Sequence, residues 1–321
     1  MPGLKISGVV WLYDYQPFGL AGVHPDFNLY GFHLMLDRDT GRLGFHVEYR
    51  MRTTPLRSFF PGPTWAEEAY MKVHVPFGIV KVGEMFKQYG IFTDYSFYGG
   101  LPYFDGLKYD PEWGVSYEGD NKINDWLSLQ HDVQYFRTDA RVNGSEPGRD
   151  VVSDPNAQRR NEFVARVVLR FKLADKVYLA VGPTFERGQV THTTFATNDY
   201  WRSSGEATLD VSGVKLYGEV IMQNFSGPSF AYLPKVTYAT VGLNTNITPW
   251  LSTHINYGQG TYSPTNGVPR GKEQLIQPGV VFTLGKGFAI YTEYTYWPLR
   301  PAPSVVNLFD RSLNTELYIA F

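Results

Sequence analysis

Leu313-Asn314-Thr315-Glu316-Leu317-Tyr318-Ile319-Ala320-Phe321 is the stretch that decides the fold. Drawn out as a strand, it sets Leu313, Thr315, Leu317, Ile319 and Phe321 on one face and Asn314, Glu316, Tyr318 and Ala320 on the other. Apolar and polar residues alternating at period two mark a strand lying between an apolar medium and water.

The same period recurs along the chain. From Leu43 to Arg52, Leu43, Phe45, Val47, Tyr49 and Met51 oppose Gly44, His46, Glu48, Arg50 and Arg52. From Glu162 to Lys172, Phe163, Ala165, Val167, Leu169 and Phe171 oppose Glu162, Arg166, Arg170 and Lys172; from Val214 to Gln223, Leu216, Val220 and Met222 oppose Lys215, Tyr217, Glu219 and Gln223. Applied throughout, the test predicts about sixteen strands, most of a length suited to a tilted crossing of a bilayer. They fall near 4–15, 28–37, 42–52, 66–76, 78–87, 113–118, 125–137, 161–172, 177–187, 200–211, 214–225, 235–247, 250–262, 273–284, 287–297 and 313–321.

The connections alternate in length. Tight turns are expected at Asp37–Gly41, Pro76–Gly78, Gly119–Asn124, Leu173–Lys176, Ser212–Gly213, Thr248–Pro249 and Gly285–Gly287. Long connections lie between them at 16–27, 53–65, 88–112, 138–160, 188–199, 226–234, 263–272 and 298–312. Short turns at one end and long loops at the other characterise an antiparallel transmembrane barrel, and nothing divides the chain into separate domains. The expected fold is therefore all-β, a single barrel over 1–321.

Composition agrees. A net charge of −2 supplies no basic field for nucleic acid, and the absence of cysteine removes thiolate metal sites, thiol nucleophiles and disulfides. Aromatics make up 16% of the chain, with 23 Tyr and 22 Phe, enough for girdles at two bilayer edges. A mean hydropathy of −0.26 does not contradict a barrel, because half of each strand faces water. No signal-peptide pattern precedes Leu4, so the sequence is expected to begin at the mature protein with an added Met.

Taken together these features resemble the porin class of bacterial outer-membrane barrels, whose last strand typically ends on Phe. Val75-Pro76-Phe77-Gly78, followed by Lys81-Val82-Gly83, looks like the turn and strand of phosphate- or anion-selective porins. The connection at 88–112 stands where sixteen-stranded porins fold a loop into the lumen. It carries Ile91, Phe92, Tyr95, Phe97, Tyr98, Leu101, Tyr103 and Phe104, which need burial, together with Asp94, Asp105, Asp110 and Glu112. The resemblance implies a constriction loop, short turns on the periplasmic side, a Gram-negative outer-membrane location, and contact with lipids and lipopolysaccharide. It also implies passive diffusion of small hydrophilic solutes or ions, no cofactor and a homotrimer.

The inward faces expected from alternation carry Arg50, Arg52, Lys72, Lys81, Arg166, Arg170 and Lys172 on earlier strands, and Glu206, Asp210, Glu219, Glu293 and Glu316 on later ones. Two arrangements satisfy such charges: a separated pair of walls that imposes a transverse field, or interior ion pairs that brace the barrel. Tyr217, Tyr291 and Trp297 offer an alternative, a stacking track for sugars in a substrate-specific channel, and a barrel sheathing a partner protein is a second. Seven histidines, at 24, 33, 46, 74, 131, 192 and 254, show no close ligand spacing, although His33 and His46 fall on neighbouring strands facing one lumen. His131 is expected to point outward, in an aromatic girdle. No nucleophile and base combine recognisably with a carboxylate, so an enzyme is not expected.

Overall fold

Alternating side chains commit each segment to the extended backbone, and a sheet of such segments leaves an unpaired row of N–H and C=O groups unless it closes. The computed structural model describes residues 3–18, 24–51, 64–91, 111–139, 157–192, 197–225, 235–262, 271–299 and 311–321. Its strands are β1 (Leu4–Pro17), β2 (Asp26–Asp39), β3 (Leu43–Met51), β4 (Thr64–Val75), β5 (Gly78–Phe86), β6 (Pro111–Lys122), β7 (Leu127–Asp139) and β8 (Ala157–Ala174). The second half adds β9 (Val177–His192), β10 (Asn198–Val211), β11 (Val214–Phe225), β12 (Val236–Thr248), β13 (Leu251–Tyr262), β14 (Gly271–Gly285), β15 (Phe288–Leu299) and β16 (Arg311–Ala320). Each strand pairs antiparallel with its sequence neighbours, and β1 pairs with β16 to close the barrel.

The closing seam runs from Val9 opposite Ala320 to Pro17 opposite Ser312. Beyond it, Gly8 and Phe321 exchange reciprocal backbone hydrogen bonds of 3.0 Å each. The Phe321 ring occupies the place a side chain at residue 8 would take, so only glycine lets the terminal aromatic lie across β1, where it stacks on Phe32 with centroids 6.2 Å apart.

The two faces separate as alternation requires. Phe163, Val167 and Leu169 of β8, Leu216, Val220 and Met222 of β11, and Val241 and Leu243 of β12 are exposed on the outside. Glu162, Glu186, Arg202, Glu219, Asn256 and Glu293 are buried on the inside. Near the short turns, Trp126 stacks on Phe171 and Trp250 on Phe282, at 6.2 and 6.3 Å. His131 faces outward as expected and lies 5.0 Å from the Tyr117 ring.

Some boundaries differ from the sequence expectation. The short strand expected at 113–118 is Pro111–Lys122, and the turn expected at Gly119–Asn124 moves to residues 123–126. Strands β9 and β10 extend far enough to shorten the connection expected at 188–199 to residues 193–197. In both places polar residues such as Asp120, Asn121 and Gln189 occupy the strand ends, so the apolar signal fades while pairing continues, as in Lys122 opposite Ser128 and Gln189 opposite Asp199.

An arginine placed on the outer face has no water to reach. Val220→Arg, at the middle of β11, should destabilise the barrel by about 2–4 kcal/mol in lipid vesicles, read from reversible denaturant unfolding. An unchanged unfolding free energy would mean that this face does not meet hydrocarbon.

Candidate functional site

After β5 the chain leaves the wall and turns inside the barrel. The Gln88 N–H donates to Gln134 Oε1 on β7 at 2.7 Å, the Gly90 N–H to Thr184 Oγ1 on β9 at 3.3 Å, and the Ile91 N–H to Glu219 Oε1 on β11 at 3.2 Å. The partners advance two strands at a time, so residues 88–91 run along the inner wall away from their own hairpin. Gly90 has φ +61°, and a Cβ there would fall on the Glu219 carboxylate; both the conformation and the close approach require glycine.

Lys87 anchors this segment. Its Nζ lies 2.8 Å from Glu112 Oε1, 3.0 Å from Glu162 Oε2 and 3.5 Å from Glu186 Oε1. Arg202 adds a contact of 3.2 Å to Glu186 and donates to Gln223 Oε1 at 2.7 Å, while Arg159 lies 3.7 Å from Glu162 and 3.9 Å from Glu112. The Tyr200 hydroxyl donates to Glu186 at 2.7 Å and also contacts Glu162. Three cations thus meet three carboxylates with almost no solvent exposure, the balance that buried charge requires. Of the expected loop carboxylates, Glu112 belongs to this cluster; Asp94, Asp105 and Asp110 lie outside the described residues.

The expected wall residues face inward, and their charges are engaged locally. Arg50 lies 2.6 Å from Glu48 and 3.2 Å from Glu67; Lys72 lies 2.8 Å from Asp39; Lys81 lies 2.6 Å from Glu118. Arg166 contacts Glu206 at 2.6 Å and Asp132 at 3.6 Å, and Arg170 pairs with Asp120 and Gln130. Glu219 takes the Ile91 amide, and Glu293 accepts from Gln277 at 3.0 Å and contacts His254 at 2.9 Å. Arg52 lies outside the described residues. This pattern is the bracing arrangement rather than two opposed walls, because Arg50, Lys72, Lys81, Arg166 and Arg170 each lie against a carboxylate on their own strand or within two strands.

Tyr217, Tyr291 and Trp297 do not make a contiguous track: β11 and β15 are not neighbours, and Tyr217 is held against Asn256. Inward rings that do meet include Trp11, Tyr291 and Tyr318, with centroids 6.1 Å between Trp11 and Tyr318 and 6.3 Å between Tyr291 and Tyr318. Lys87, Arg159, Arg202 and Trp11 escaped sequence reasoning. The parity of Glu162 and Glu186 was readable, but convergence on Lys87 depends on the path taken after β5.

Removing one partner of a buried cluster leaves charge stranded. Lys87→Met should cost about 3–5 kcal/mol of unfolding free energy, measured in the same vesicle assay. A wild-type unfolding midpoint would show that the three carboxylates do not depend on this ammonium.

No family model and no curated protein matches the chain. Solved structures do. OmpF of Salmonella typhi, in complex with daunomycin, superposes with a TM-score of 0.71 at 15% identity over 99% of this chain and 97% of its own. The anion-selective porin of Comamonas acidovorans gives 0.70 at 13% identity, over 99% of each chain. The outer-membrane channel DcaP of Acinetobacter baumannii gives 0.67 at 13% identity, over 99% and 97%. The chain therefore has the fold of the sixteen-stranded outer-membrane porins, along its whole length.

Proposed function

We propose that this protein is a porin of the Gram-negative outer membrane, a water-filled channel through which small hydrophilic solutes or ions pass by diffusion. The observation that carries the reading is a closed barrel with an apolar outside and a charged, hydrogen-bonded inside, entered by the segment 87–91 from the loop end. Such a wall suits water and polar solutes and repels lipid. Residues 87–91, with Lys87 held by Glu112, Glu162 and Glu186, narrow the lumen, and Arg50, Lys72, Lys81, Arg166, Arg170, Glu206, Glu219 and Glu293 line it around them. Short turns face the periplasm and long loops the exterior. The surrounding partners are outer-membrane lipid and lipopolysaccharide, a homotrimer is the assembly, no cofactor takes part, and the protein is not an enzyme.

The contiguous rings of Trp11, Tyr291 and Tyr318 favour a second reading, a channel that prefers solutes able to stack on aromatic faces. Saturable flux of a sugar would support it; flux that rises linearly with concentration would exclude it.

Refolded protein in a planar bilayer should give stable conductance steps, and silence from folded barrels would refute the channel. Because Arg50 lies against Glu48 and Glu67, Arg50→Ala removes a positive charge from beside two carboxylates. A unit charge about 8 Å from the ion path is worth roughly 0.5 kcal/mol in water, so cation-to-anion permeability should rise at least about twofold at low salt. A reversal potential unmoved in a salt gradient would remove Arg50 from the conducting path.

A further inference from the structure

On the lumen wall, β2, β3 and β4 bring a histidine and several carboxylates close together. His46, Glu48 and Glu68 each offer a ligand atom, and these atoms lie within 4.8 Å of one another. His46 Nε2 stands 3.9 Å from Glu68 Oε2; it is buried and carries no hydrogen bond among the described residues. Two donors each about 2.1 Å from a tetrahedral zinc ion sit roughly 3.4 Å apart, so a small inward movement of the side chains would complete the coordination.

The surroundings of each ligand are those a metal site needs. The other ring nitrogen of His46, Nδ1, bonds Asp37 Oδ1 at 2.8 Å, which orients the imidazole and turns Nε2 toward the cluster. One oxygen of Glu48 is held by Arg50 Nε at 2.6 Å and His33 Nδ1 at 3.0 Å. One oxygen of Glu68 accepts the Phe86 N–H at 3.3 Å, leaving Oε2 toward His46. The Tyr70 ring stacks on His46 at 5.2 Å and steadies it. Arg50 brings a positive charge, but Glu67 shares it, and Lys81 is engaged by Glu118. Asp37, Glu48 and Glu68 therefore leave the pocket net negative.

We propose that His46, Glu48 and Glu68 form a binding site for a transition-metal dication of the Zn2+ class, oriented by Asp37 and open to lumen water at the remaining position. One imidazole with two carboxylates suits zinc and its neighbours, whereas Ca2+ and Mg2+ demand six or more oxygens, or ordered waters in their place. The site goes beyond diffusion: it gives the channel wall a specific ligand, and its occupancy offsets most of the local negative charge.

Isothermal titration of Zn2+ into the full-length, tag-free protein in detergent tests the site independently of conductance. One zinc per chain is expected, unaffected by excess Ca2+. His46→Ala and Glu68→Gln should each abolish saturable binding, and Asp37→Asn should weaken it roughly 10–100-fold. His74→Ala, which removes a histidine paired with Asp39 outside the cluster, should leave it unchanged. Heat-modifiable gel mobility checks that each variant is folded; should His46→Ala fail to fold, the nearly isosteric Glu68→Gln decides. No saturable zinc binding by the wild type, or binding that survives Glu68→Gln, overturns the proposal, as does equal loss on His74→Ala.

Discussion

The structure depends on one constraint: in hydrocarbon no water is available for a backbone N–H or C=O, so every such group must find a partner within the chain. A sheet meets that demand only by closing on itself. The seam between β1 and β16 is thus the pairing on which the others rest, since without it two edges would face lipid. Gly8 and Phe321 are fitted to this one contact. Gly8 clears a space, Phe321 fills it, and the reciprocal hydrogen bonds between them continue the ladder past the last strand residue.

Closing the sheet creates a second problem inside it. The inward half of each strand is polar so that the lumen stays wet, yet where the segment 87–91 packs against the wall, water is excluded and polarity becomes costly. Matching of charge answers this. Lys87, Arg159 and Arg202 offset Glu112, Glu162 and Glu186, and the tyrosine hydroxyl of Tyr200 takes up further acceptor capacity. Desolvated ion pairs add little net stability compared with an apolar filling. Their value here lies in position: an ammonium that must meet three carboxylates on β6, β8 and β9 has few places to sit, and it directs the chain that follows.

The barrel was legible in the sequence because its signal is local. Leu43 to Arg52 declares its two faces without reference to any other segment, and the alternation of short and long connections then orders the strands. The strand ends were less legible, as at Asp120–Lys122, where a polar run belongs to the ladder but no longer meets lipid. Inward parity of Arg50, Lys81, Arg166 and Glu219 followed from the period alone. Which charge meets which did not, because Arg166 reaches Glu206 across an intervening strand, at a level fixed by the tilt of strands around the barrel. A sequence lists residues along a strand, whereas an ion pair is made across several.

The same geometry explains how a conducting wall and a specific ligand site can coexist. Most lumen carboxylates are occupied by a lysine or arginine within reach, which leaves the wall hydrated but chemically closed. On β2 to β4 the pairing is different: Asp37 spends its oxygen on His46, and the nitrogen that His46 presents in return is aimed at Glu68 rather than satisfied by it. An imidazole held by a carboxylate on one side and left without a hydrogen bond on the other is oriented at a cost, because a buried acceptor without a partner is destabilising. Charge balance alone would have been met by a lysine at that position, without ordering the ring. A ring oriented toward two carboxylates is what coordination requires, so the same outer partners that fix the side chains in the wall also define what can bind there.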